Sequence, residues 1–252
     1  MYRAPTVAKA FQILERIAAS GHSPSLSDLS HELGISKSTV HGITAALEAA
    51  GAVVRDHRTK RYSLGPTLFE LGSAVHSRLD LKDTARPVMQ ALMERTAESV
   101  FLGIRNNDHV AIIDIVESHQ DLKITAPVGT RIPLLAGATG KVFLAGLPEA
   151  RARELIEDRG LHPYTEHTIT DPGRYLAELE LARRNGYALD HEEYISGVHA
   201  VAAPIAGAQP AAAIWVVGFT PSLGTDRMTQ VAAATLEAAR AISRAIEQRG
   251  MQ

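Results

Sequence analysis

The feature that most limits how this chain can fold is a pair of short amphipathic segments separated only by Gly34-Ile35. The first runs from about Leu26 to Leu33. Ser25 stands three residues before Asp28 in the pattern of a capping box, and Gly34 is a helix-stopping residue. The second has Ser36 as its N-cap and ends before Gly51, with Val40, Ile43, Leu47 and Ala50 inward. Two short helices with a tight glycine turn predict a helix-turn-helix.

The flanking residues extend this motif. Val7, Ala10, Phe11, Leu14, Ile17 and Ala18 follow helical spacing, which predicts a helix from Thr6, as N-cap, to Ser20, ended by Gly21. Ala52–Arg55 and Arg61–Leu64 read as short strands around the charged turn Asp56–Lys60, the outline of a wing. The outer face of the second motif helix carries Ser36, Lys37, Ser38, Thr39, His41 and Gly42. These small or polar residues fit a major groove, and the helix N-terminus would reach base edges. Residues 1–65 hold eight Lys or Arg against five acids, so this end is +3 and the remainder −5. Arg55, Arg58, Lys60 and Arg61 are expected along phosphates, which points to double-stranded DNA as partner.

Residues 66–80 are expected to form a linker helix, with Leu68, Leu71, Gly72 and Val75 on one side, available to a core or a second subunit. Residues 81–252 read as α+β with a mainly antiparallel sheet. Strands are expected at Val100–Arg105, Val110–Val116, Leu122–Thr125, Tyr187–Asp190, Val198–Ile205 and Ala211–Phe219, with a hairpin turn at Asn106-Asn107-Asp108. Helices are expected from near Ala85 to Glu98, at Ala136–Gly146 and Pro148–Arg159, from Asp171-Pro172 to Asn185, and from Asp226 to about Gln248. The proline at 87 argues for the late start of the first of these. The Ala211–Phe219 strand is apolar on both parities, as expected of a strand covered on both faces, by core or by a ligand cavity.

The absence of cysteine excludes disulfides, iron–sulfur clusters, thiolate zinc sites and cysteine nucleophiles. No apolar run reaches about 18 residues, and the N-terminus lacks the apolar core of a secretory signal, so a cytoplasmic setting is expected. The run Ala136-Gly-Ala-Thr-Gly-Lys-Val142 fails as a phosphate loop, because Leu135 and Val142 stand where that motif needs Gly and Ser or Thr. What remains is a small-residue helix start, either an anion site or a closely packed element. His191-Glu192-Glu193 with His199 matches no zinc template and reads as a solvated loop. Asp190, Glu192 and Glu193 form no acid pair of defined separation, and no nucleophile elbow is present. No metal, cofactor or enzymatic activity is expected. The competing classes are an enzyme with a helical docking domain and a sensor that signals to proteins.

Several longer runs resemble the IclR-type bacterial transcription regulators. They are Leu26 to His41, Arg61 to Gly72, Gly129-Thr-Arg-Ile-Pro-Leu134 leading to Gly140-Lys141, Thr168 to Asp171, Arg184 to Glu193, and Gly197 to Pro204. The resemblance spans nearly the whole chain. It implies a winged helix-turn-helix over 1–65, a linker helix, and a GAF-like effector-binding domain over 81–252. It further implies homodimers or dimers of dimers on a pseudo-palindromic operator, and control of carbon-source catabolism. By the same resemblance Ser36–Ala50 is the recognition helix, and the effector pocket is lined by Leu135, Ala138, Thr139, Gly140, Asp190, Ala200, Trp215 and Val217. The chain departs from the family pattern at Ala200, often Cys, at Trp215 and Val217, often Ser or small, and at Gly42, often Arg. Losing polar partners at three pocket positions disfavours a tiny polar acid. The expected effector has an apolar or aromatic body, its acceptor group at the Ala138–Lys141 helix start and its donor toward Asp190.

Overall fold

The computed structural model describes residues 4–76 and 81–250. The chain divides into two compact units, Met1–Leu79 and Asp80–Gln252. The first holds three helices and a hairpin: α1 (Pro5–Ala19), α2 (Leu26–Leu33), α3 (Lys37–Ala49), β1 (Val53–Arg55) and β2 (Tyr62–Leu64), followed by α4 (Pro66–His76). Helix α1 begins at Pro5 with Ala4 as cap, not at Thr6: proline's fixed φ and missing N–H suit a first helical turn. Its buried face is turned relative to the expected stripe. Ile13 and Ile17 are buried, whereas Val7, Phe11 and Ala18 are exposed. The capping box of α2 is complete: Ser25 N–H donates to Asp28 Oδ2 at 2.8 Å and Asp28 N–H to Ser25 Oγ at 3.3 Å. Gly34 closes the helix in the left-handed region at φ 64°. Ile13, Leu29, Val40, Val53 and Tyr62 meet in the core of this unit. Residues 77–80 of the expected linker helix lie outside the described residues.

The second unit is built on a six-stranded antiparallel sheet. In chain order its elements are α5 (Leu81–Thr96), β3 (Ser99–Asn106), β4 (His109–Val116), β5 (Arg131–Pro133), α6 (Gly137–Ala145), α7 (Glu149–Arg159), α8 (Pro172–Asn185), β6 (Ala188–His191), β7 (Val198–Ile205), β8 (Ala212–Phe219) and α9 (Thr225–Gly250). The strand order is β5-β4-β3-β8-β7-β6. Two expectations fail. Leu122–Thr125 is irregular, and the edge strand is Arg131–Pro133 instead. Helix α5 begins at Leu81, so Pro87 lies inside it; Leu81 and Ala85 before the proline and Met89 and Leu92 after it are all buried, which holds the helix across the missing N–H.

Both faces of the sheet are covered, and β8 shows how. Ala212, Ile214 and Val216 pack with α5 and α9, while Ala213, Trp215 and Val217 face α6 and α8. The register of β3 against β4 slips between Leu102 and Gly103, leaving Ile113 as an extra residue. This bulge reverses the facing of β4. Val110 and Ile112 belong to the Trp215 side, Val116 to the α5 side. Gly103 sits at the slip because nothing larger fits: a Cβ there would lie 2.7 Å from the Trp215 ring and 2.9 Å from the Ala111 carbonyl oxygen. Replacing Gly103 by Val is therefore expected to cost about 1–3 kcal/mol through overpacking. Urea unfolding should show the loss together with a shifted Trp215 emission; an unchanged midpoint would contradict this packing.

Candidate functional site

Two surfaces carry the chemistry, one in each unit. In the first, the Ser36 hydroxyl caps α3 by accepting from Thr39 N–H at 3.3 Å, and it contacts the Ser38 and Thr39 hydroxyls at 3.2 and 2.8 Å. Val40, Ile43 and Thr44 face inward. Lys37, Ser38, His41 and Gly42 are exposed on one side of the helix, with Thr39 partly covered. Nothing lies within 4 Å of a Cβ at Gly42, so that glycine is not required by packing.

The four cations of the hairpin are not equivalent. Asp56 organises the tip by accepting Arg58 N–H at 2.8 Å and Thr59 N–H at 2.9 Å, and those bonds hold its carboxyl below the usual range. Arg58 and Lys60 are exposed at this tip, with Lys60 at φ 58°. Arg61 instead donates to the Ser23 carbonyl at 2.6 Å, tying the hairpin to the loop before α2. Arg55 is half-buried, its guanidinium 5.8 Å from the Tyr62 ring centre. Its Nε is buried with no hydrogen-bond partner among the described residues.

In the second unit a cavity of about 200 Å³ opens between the sheet, α6 and the irregular segment after β4. Six of the eight sequence-selected pocket residues line it: Ala138, Thr139, Asp190, Ala200, Trp215 and Val217. Leu135 and Gly140 do not. The Leu135 carbonyl accepts from the buried Tyr175 hydroxyl at 3.2 Å, and Gly140 allows close passage of the Leu134 carbonyl, 2.6 Å from where its Cβ would be. The remaining walls include Phe101, Ile112, Ile124, Tyr194, Ile195 and Val198. Phe101 is Trp215's cross-strand partner, the two rings parallel to within 8° and 5.6 Å apart. Ile124 comes from the segment expected to be a strand.

The polar end of the cavity is the start of α6. No side chain caps this helix, and Ala136 to Thr139 line the cavity. Gly137, at φ 54°, lies against the Asp190 carboxylate, which a Cβ would strike. Asp190 Oδ1 accepts Glu193 N–H at 2.6 Å. Burial, and next the charge of Glu193, push the Asp190 carboxyl up to about 6. The His191-Glu192-Glu193 segment is not the solvated loop expected from the sequence: Glu193 and His199 are buried. Glu193 is held there by Lys141, 1% exposed, whose ammonium donates to Glu193 Oε1 at 2.6 Å, the Leu189 carbonyl at 2.9 Å and Glu178 Oε2 at 3.1 Å, while His199 Nδ1 lies 2.7 Å from the Leu223 carbonyl oxygen. Among the described residues no group of three His, Asp or Glu is arranged to hold a metal ion, and no helix is long and apolar enough to cross a membrane.

Removing the ammonium would strand Glu193 in a buried setting beside Asp190. Lys141→Met is expected to cost about 3–5 kcal/mol. Adding Glu193→Gln should recover part of this by a double-mutant cycle in urea; independent, additive losses would show the pair to be uncoupled.

Comparison with known proteins gives these surfaces a common context. Residues 6–57 match the IclR helix-turn-helix domain, and residues 73–244 match the bacterial transcriptional regulator IclR C-terminal domain. The HTH-type transcriptional regulator BhcR of Paracoccus denitrificans is 36% identical over 237 residues, 93% of this chain and 85% of its own length. The acetate operon repressor of Salmonella typhimurium is 31% identical over 94% of this chain and 88% of its own length. The crystal structure of an IclR transcriptional regulator from Alicyclobacillus acidocaldarius superposes with a TM-score of 0.81 at 27% identity, covering 97% of this chain and all of that one. The chain therefore belongs to the IclR family, as a DNA-binding transcriptional regulator and not an enzyme.

Proposed function

We propose that this regulator controls genes of carbon-source catabolism and that a small molecule in the Trp215 cavity sets its occupancy of an operator. The observation that carries this reading is a largely apolar cavity with a buried carboxylate beside a helix start that no side chain caps. About 200 Å³ suits a single ring with one or two substituents, since a cavity of about 150 Å³ accepts benzene. The effector is a carboxylate with an aromatic or apolar body. Its acidic group is held at the start of α6; Asp190, expected from the sequence to receive a donor of the effector, is instead protonated and donates to that acidic group. Two copies of the chain place their α3 helices in successive major grooves of a pseudo-palindromic site, and Arg58 and Lys60 contact phosphates. The effector changes operator affinity only by binding one arrangement of the dimer better than another. A catabolic gene cluster as target is suggested by the Salmonella relative, which is named the acetate operon repressor.

Benzoate and substituted benzoates, titrated against the protein on its own upstream DNA, test the reading. Binding should change Trp215 emission and release or recruit the duplex. If no such ligand alters either signal, the effector reading fails. Because Asp190 must be protonated beside a bound carboxylate, affinity should rise as pH falls through about 6. From about pH 7.5 to about pH 5.5 the gain should be at least about tenfold, and Asp190→Asn should flatten it. On the DNA side, replacing Arg58 and Lys60 by Ala removes two phosphate contacts from each of the two copies and should reduce the salt slope of operator binding by about 3–4. Arg61→Ala should lower thermal stability more than it alters that slope.

A further inference from the structure

The bulge in β4 places two residues of unlike role back to back. Ile112 lines the cavity. Two positions on, past the extra Ile113, Asp114 pairs with Leu102 and points to the opposite face, where α5 begins. Asp114 is buried, with its side chain 4% exposed. Arg86 Nη1, from α5, donates both to Asp114 Oδ1 at 2.7 Å and to the Ile115 carbonyl at 2.9 Å. Lys82, one turn earlier on α5, stands 3.7 Å from the same Oδ1, too far for a hydrogen bond. Asp114 Oδ2 is buried and has no hydrogen-bond partner among the described residues.

This buried carboxylate is hydrogen-bonded through one oxygen only, and a second cation, Lys82, is already within ion-pair distance of that oxygen but short of hydrogen-bonding it. Arg86 holds it in the arrangement observed. A small displacement of β4 would bring Lys82 into bonding distance. Such a displacement has an obvious source. Trp215, a wall of the cavity, rests on Gly103 at the bulge, and Ile112 is both Gly103's cross-strand partner and a cavity wall. A body seated in the cavity presses on both strands at the slip in register, on β3 through Trp215 and Gly103 and on β4 through Ile112. In chain order α5 follows directly on the segment that leads from the DNA-binding unit.

The geometry points to Asp114 as a positioning residue, which converts occupancy of the Trp215 cavity into a changed anchorage of the first turns of α5 through exchange between Arg86 and Lys82. This inference rests on the reading of the cavity as the effector site. It differs from that reading in naming where the signal leaves the cavity.

The test needs no known effector. Ala200→Leu fills part of the cavity from the sheet side, and Ala138→Leu does so from α6 if the first variant fails to fold. Hydrogen–deuterium exchange of the full-length protein is followed over residues 81–90 with and without the filling substitution. The comparison is made in the native background and with Asp114→Asn, which keeps the shape and removes the charge. Filling should alter exchange at 81–90 by about fivefold or more in the native background. It should alter it less than about twofold with Asp114→Asn or Arg86→Met, and Arg86→Lys should restore the response. An equal response in the native and Asp114→Asn backgrounds, or none at 81–90 in the native protein, overturns the proposal. If the response appears as expected while no small molecule shifts operator occupancy, the coupling stands and the effector reading falls.

Discussion

One buried ammonium governs the polar half of the second unit. Lys141 reaches from α6 to three acceptors contributed by β6, the β6–β7 connection and α8, and so joins elements far apart in the chain. An isolated ammonium in that position would be expelled or neutralised by its desolvation cost. It is tolerated because each of its three protons has an acceptor and because Glu193 supplies the compensating charge. That arrangement leaves Asp190, held by the Glu193 N–H, as the neighbouring carboxylate without a cation of its own. Its raised affinity for a proton follows from burial and from Glu193's charge. The ion-pair hub thus fixes Glu193, whose N–H holds Asp190 and whose charge adds to the effect of burial on that carboxyl, while the Lys141 charge opposes it. Its contribution is to specify geometry, since a buried ion pair of this kind is weak evidence for net stability.

The sheet supplies the second constraint. A flat six-stranded sheet with strict alternation would put Ile112 and Asp114 on the same face. The slip at Leu102 and Gly103 separates them, so that apolar side chains reach the cavity and the carboxylate reaches α5. The cost is a residue without side-chain freedom: Gly103 must stay bare beneath the Trp215 ring. The large aromatic and the bare glycine are one packing solution. Cavity volume, indole orientation and strand register cannot be varied independently.

These two devices also mark what could be read from the residues. The helix-turn-helix was legible because its signals are local: the Ser25–Asp28 box, Gly34 as left-handed stop and Ser36 as cap each act within three or four residues. The hairpin at Asn106–Asp108 and the strand Val198–Ile205 were legible for the same reason. The two-sided burial of β8 was legible from its continuous apolar run. The failures are long-range. Leu122–Thr125 is rich in residues that favour strands, yet it finds no neighbouring edge, and Arg131–Pro133 takes that place beside β4. Glu193 looked solvated because its partner lies 52 positions away at Lys141. The bulge was invisible because an extra residue changes facing without changing composition. Leu135 and Gly140, near the pocket by sequence, turn to Tyr175 and to backbone packing.

The recognition helix shows the opposite balance between local preference and context. Thr44 bonds back to the Val40 and His41 carbonyls at 2.9 and 3.1 Å, a habit that loosens helices. Gly42 costs roughly 1 kcal/mol relative to Ala in a helix interior, although its surroundings leave room for a side chain. Propensity alone would leave so short a helix marginal in water. It is held by Val40 and Ile43 against Ile13, Leu29 and Tyr62, and by the Ser36 cap. Packing therefore fixes its inner side while the outer side is free of structural demands. Absence of a Cβ on that outer side permits close approach by another body, the one physical benefit a glycine offers there. An outward face relieved of duties to the fold can be read against a duplex without disturbing the core that carries it.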